Sequence, residues 1–167
     1  IVERGVSPER TLRLARIKYD GPWDPEPYGW TRMAAYLKNE AGTRLLVSTG
    51  VTLDSAELRD FTVAHITGTT SFVLSAAELR GLRQFLSAGG TLLADPAGGA
   101  PEFVRALEEQ VGQAMSGEAH VLPESSAILT GAGVEGAVDL AGVAYRRAAR
   151  TVARGQNYPL VRAFLSA

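Results

Sequence analysis

Cysteine is absent from this chain of 167 residues. That absence excludes a disulfide framework, a thiolate metal site and every mechanism that runs through a cysteine nucleophile. It identifies no compartment, because a cysteine-free chain folds equally well in either redox environment. Lysine is scarce as well: Lys18 and Lys38 stand against fifteen arginines, a bias better read as genomic base composition than as chemistry. Histidine occurs only at His65 and His120, without ligand spacing, so no metal or cofactor site is expected. No apolar run approaches the roughly 20 residues that span a bilayer, and residues 1–10 contain no apolar segment of signal-peptide type. Charge of one sign is not in excess either. Seventeen Lys and Arg against eighteen Asp and Glu leave a net charge of −1, so no global field favours nucleic acid or an anionic membrane.

What remains is the composition of a globular domain, with 46% hydrophobic and 21% charged residues in 17.7 kDa. At this length roughly 70% of the unfolded surface can be buried, so residues 1–167 are read as a single domain. The opening at Ile1, with no methionine, suggests a piece of a longer protein. Charge is distributed unevenly. Segment 140–167 holds Arg146, Arg147, Arg150, Arg154 and Arg162 and no acid, leaving twelve basic and eighteen acidic residues elsewhere. A basic contact surface is the sharper reading, and a solvated face complementing the rest of the domain is the preferred one.

Along the chain, strands alternate with helices. Arg13–Asp20 reads as a strand, and the Pro- and Gly-rich Gly21–Pro27 as an irregular loop. Thr31 is expected to cap a helix through about Asn39, closed by Gly42. Leu45–Ser48 reads as a short buried strand, and Asp54 as the cap of a short helical turn. Thr62–Thr67 is the next strand. Ser75 and Glu78 form a capping box for a helix that buries Leu79, Leu82, Phe85 and Leu86 and ends at Gly89-Gly90. Thr91–Ala94 reads as a fully buried strand paired with Thr62–Thr67, and a helix follows from Pro101 to about Met115. Ala119–Leu122 and Val143–Ala149 read as late strands around a loop-rich stretch. Such alternation predicts an α/β fold: a three-layer doubly wound sandwich on a mainly parallel sheet.

In such sheets the ligand site lies beyond the carboxyl ends of the strands, where the strand order reverses. The rule selects Tyr19 and Asp20, then Gly68, Thr69, Thr70 and Ser71, then Asp95, Gly98 and Gly99, with Trp23 as a wall. The hydroxyls and amides of Thr69–Ser71 suit an anion or a sugar hydroxyl, and a turn bonded to its own backbone is the preferred reading. Asp20 and Asp95 are the candidate carboxylate pair, against the plainer reading of two turn caps.

RIKYDGPWDPEP, followed by HITGTTSFVLSAAELRGLRQFLSAGGTLLADPAGG, resembles an uncharacterised bacterial domain family related to the class I glutamine amidotransferase-like fold. The resemblance covers about residues 12–122, leaving 123–167 as a loop-rich, Arg-rich C-terminal part. It implies a flavodoxin-like or amidotransferase-like sandwich within a longer, envelope-associated protein, in a periplasmic or secreted setting. Amidotransferases place a cysteine on the turn that reads here Asp95-Pro96-Ala97-Gly98-Gly99, so that activity is excluded. His120 and Glu124, separated by Pro123, do not rebuild the remaining apparatus.

Other signals are weaker. Gly131–Gly136 matches G-x-G-x-x-G but lacks the following helix and later acid of a dinucleotide loop. His65, inside an apolar strand, reads as a hydrogen-bonded core histidine, and His120 is given a similar setting. The expectation is therefore a non-catalytic domain that binds a small polar ligand or a protein partner. The alternative is a hydrolase or carbohydrate-acting enzyme using Asp20 and Asp95 with Thr69 or His120.

Overall fold

A computed structural model of the chain describes residues 4–5, 7–134, 137–144, 150 and 157–164. It divides into two compact units, Ile1–Ser116 and Gly117–Ala167. The first holds a four-stranded, wholly parallel sheet in the order β2-β1-β3-β4. Its strands are β1 (Arg10–Ile17), β2 (Thr43–Val51), β3 (Val63–Gly68) and β4 (Thr91–Pro96). Helices α1 (Gly29–Ala41), α2 (Ala76–Ser87) and α3 (Pro101–Met115) flank it.

Successive side chains of a strand point to opposite faces, so His65 and Gly68 of β3 face opposite ways. Trp30 of α1 meets His65, and Phe103 of α3 closes on Gly68. The strand order explains this division. The chain moves one way from β1 to β2 through α1, then reverses over β1 to β3 and on to β4. Crossovers of one hand must change face when the direction changes.

Local sequence accounts for most element ends. Ser75 caps α2 with the expected box: its hydroxyl accepts from Glu78 N, and the Glu78 carboxylate accepts from Ser75 N. Gly42 closes α1 in the left-handed region, φ 54°. Arg83 of α2 satisfies the end of α3, its Nε donating to Ala114 O at 2.7 Å, so one side chain joins two helices. Leu82 and Phe85 are buried as expected, whereas Leu79 and Leu86 remain half-exposed.

Several expectations are corrected. The first strand begins and ends three residues earlier than Arg13–Asp20, so Tyr19 and Asp20 follow it. Helix α1 starts at Gly29, before Thr31, without a side-chain cap. The turn at Ala56–Asp60 is a 3-10 helix capped by Ser55 rather than Asp54. Leu45–Ser48 and Thr91–Ala94 are not fully buried. β2 and β4 are the sheet edges, and Leu93 is 47% exposed. The apolar runs that suggest burial cannot distinguish an edge strand from a central one. β3 and β4 do pair in parallel as expected.

In the second unit, Ala119–Leu122 contributes only β5 (His120–Val121), which pairs antiparallel with β6 (Arg162–Ala163) in a sheet of its own. The expected fifth strand is thus no part of the parallel sheet. A short helix α4 (Ala127–Thr130) is capped by Ser126 and closed by Gly131, φ 70°. Val143 and Ala144 are not in a strand, while 145–149 lie outside the described residues, as do Glu135 and Gly136 of the glycine run and Arg146, Arg147 and Arg154.

Candidate functional site

The reversal in strand order falls between β1 and β3, and the loops beyond their carboxyl ends form the candidate site. Register brings the segments together. Thr67 lies opposite Asp95 and Gly68 opposite Pro96, so Thr69–Ser71 leave the sheet beside Ala97–Gly99. Thr67 Oγ1 donates to Asp95 O at 2.7 Å and ties the two strand ends. Tyr19 joins them from β1, its hydroxyl donating to Thr67 O at 3.1 Å.

Tyr19 is nevertheless interior, 4% exposed, with its ring 4.5 Å from that of Phe72 and 6.4 Å from that of Phe103. Burial pushes its phenol up to about 12. A Cβ on Gly68 would lie 2.0 Å from the Tyr19 hydroxyl and 2.7 Å from Phe103, so the space beside Gly68 is filled by the protein itself. What faces outward is a rim. Asp20, Thr69, Thr70, Ser71, Asp95, Gly98 and Gly99 are all exposed, and Trp23 is half-buried at its border. Gly98 and Gly99 have φ of 66° and 75°, a backbone that disfavours side-chain-bearing residues. Among the described residues, the Asp20 and Asp95 carboxylates have no hydrogen-bond or ion-pair partner.

Beneath the opposite face of the same strand ends lies a cluster in which His65 is the hydrogen-bonded core histidine expected from the sequence, while Arg16 and Asp24 are residues that sequence reasoning missed. Arg16, 4% exposed, pairs through Nη2 with Asp24 of the Pro-rich loop. Its Nε is buried with no acceptor. Alternation along the strand puts Arg16 on the same face as Leu14, where the Pro-rich loop meets it through Asp24. His65 lies opposite Arg16 in the sheet register. Trp30 Nε1 donates to His65 Nδ1 at 3.0 Å, which places the proton of the neutral imidazole on Nε2. Burial, and then the Arg16 charge, pull that imidazole down to about 4. His65 therefore stays neutral, with its lone pair engaged, and offers a donor rather than a base. A buried guanidinium persists only if paired, so Asp24 is held over the sheet. The two bonds fasten both ends of the segment running from Asp24 to Trp30. A clue was present in the sequence: Arg16 stands between the apolar Ala15 and Ile17, with an acid eight residues on.

His120 is exposed, in contrast to the apolar setting expected for it. Among the described residues no group of three or more His, Asp or Glu side chains could hold a metal ion, and no helix is long and apolar enough to cross a membrane. At the other end of β3, a groove of about 490 Å³ opens between the 3-10 turn Ala56–Asp60 and α2. No residue proposed from the sequence lines it.

The parallel sheet and its flanking helices define an α/β domain. A family model for a domain of unknown function, DUF4159, matches residues 13–131, and the chain belongs to that family. No curated protein matches the chain. The family match bears on neither a reaction nor a relation to amidotransferases.

Proposed function

We propose that this chain is a non-catalytic binding domain that recognises a neutral polar compound, a cation or a protein surface through the rim at the carboxyl ends of β1, β3 and β4. The observation that carries this reading is the filling of the space beside Gly68 by Tyr19 and Phe103, which leaves polar groups displayed outward instead of enclosed. Thr69, Thr70 and Ser71 supply hydroxyls and amides, and Asp20 and Asp95 bias the rim against anions. Both aspartates stand exposed on an outward-facing rim, which favours recognition over hydrolysis.

The strand order β2-β1-β3-β4 supports the doubly wound, flavodoxin-like reading, and with it a distant relation to amidotransferases without their cysteine. The match from 13 to 131 runs past the end of α3 and supports treating both units as one functional domain. An envelope-associated bacterial setting belongs to the same proposal and rests on the resemblance alone. The test is a set of amide-resolved NMR titrations with neutral monosaccharides, polyols and calcium. Saturable shifts are expected at Thr69–Ser71, Asp95, Gly98 and Gly99, and they should be lost in Asp95→Asn. Turnover of a glycoside that disappears in Asp20→Asn, or binding that bypasses the rim, would overturn the reading.

A further inference from the structure

The groove beside α2 has the dimensions of a ligand site, about 490 Å³ against a usual range of about 300–1,000 Å³. It lies at the amino end of β3, where Thr62 precedes the strand, whereas the rim follows Gly68 at the carboxyl end. The two sites share no residue. Sequence and packing together create the groove. Gly81 allows α2 to approach the backbone before the 3-10 turn so closely that an added Cβ would lie 1.9 Å from Leu53 O. Beyond α2 the wall consists of Ala88, Gly89 and Gly90, with nothing within 4 Å of the position a Gly89 Cβ would take. Buried Leu58, Phe61 and Phe85 line its apolar part.

Its polar part carries Asp54 and Arg59, five residues apart on one segment, with Gln84 on α2. Among the described residues neither charge has an ion-pair or side-chain hydrogen-bond partner, and both are exposed. Opposite charges that line one concave surface without neutralising each other are complementary to a molecule bearing both signs. We infer that the groove binds a small zwitterion with an apolar side chain, a free amino acid or a dipeptide. Its ammonium group sits at Asp54 and its carboxylate at Arg59, which presents a planar fork of donors suited to that group. The apolar side chain lies toward Leu58, Phe61 and Phe85. Gln84, with both a donor and an acceptor, bonds the peptide or carboxyl group between them.

The experiment is an NMR titration of the whole chain with glycyl-leucine, with N-acetyl-leucine and leucine amide as probes lacking one charge each. Glycyl-leucine should shift the amides of Asp54–Phe61 and Gly81–Gly90 saturably and bind at least about tenfold more tightly than either control. Asp54→Asn should abolish the preference over N-acetyl-leucine, and Arg59→Gln the preference over leucine amide. Both substituted side chains are exposed, so the fold is retained. Absence of a saturable shift at the groove, or equal affinity for all three probes, overturns the inference. Shifts confined to Thr69–Ser71 would likewise overturn it while leaving the rim proposal standing.

Discussion

His65 exerts its effect on stability through proton linkage. Its folded value of about 4 lies below the ordinary 6.5, so the unfolded chain binds the proton more readily. Stability from this residue is complete above pH 6.5, falls as pH drops through the window from 6.5 to 4, and levels off below it. The loss is on the order of 3 kcal/mol. Urea unfolding at pH 7, 5.5 and 4.5 should show a steeper decline for the native protein than for His65→Gln; parallel declines would contradict the assignment. Arg16 and Asp24 give a second residue-scale expectation. Asp24→Ala strands a buried guanidinium and should cost about 2 kcal/mol, below the full penalty of a buried pair because the Asp24 side chain is 30% exposed. Asp20→Ala, four residues earlier and exposed, should change stability by less than about 0.5 kcal/mol. Equal effects at the two positions would show that the ion pair does not hold the loop.

Helix α2 sets intrinsic propensity against packing. Alanine is the better helix former, so Gly81→Ala would gain about 1 kcal/mol in an isolated helix. Here the new methyl collides with a backbone oxygen, which cannot rotate away, so α2 must move off Leu53. Packing decides the sign: thermal denaturation should show net destabilisation of about 2 kcal/mol. Ser75→Ala removes the hydroxyl half of the capping box and should cost about 1 kcal/mol. A stabilised Gly81→Ala protein would mean that the approach of the 3-10 turn to α2, and the groove it shapes, is absent in solution.

Across the sheet, position in the strand order should govern protection from hydrogen exchange. β1 and β3 have partners on both sides, whereas β2 and β4 each have one edge unpaired among the described residues. Amides of Leu14–Ile17 and Ala64–Ile66 should exchange slowest, and those of β4 at least about tenfold faster. Protection of β4 equal to that of β1 would mean that another element pairs with its edge. The same edge position explains why the apolar Thr91–Ala94 looks central in sequence and is half wet in the fold.

The sequence by itself determined the local events. Ser75 with Glu78, Gly42 after α1 and Pro101 at the start of α3 act on their own neighbours, and the helix ends follow from them. Periodicity carried the alternation of strands and helices, hence a parallel α/β sheet, and the absence of cysteine removed one whole chemistry. The strand-end rule selected the segments that follow β1, β3 and β4, because it depends only on topology. Tertiary structure alone decided what lies inside that rim and beneath it. Tyr19 reads as a ligand-site residue until Phe72, Gly68 and Phe103 close around it. Arg16 carries no decisive sign of burial until Asp24, from a Pro-rich loop with no regular pattern, pairs with it. The groove at Asp54 and Arg59 depends on how closely α2 approaches a distant turn. Burial is a property of what stands opposite a residue, and no window along the chain contains that partner.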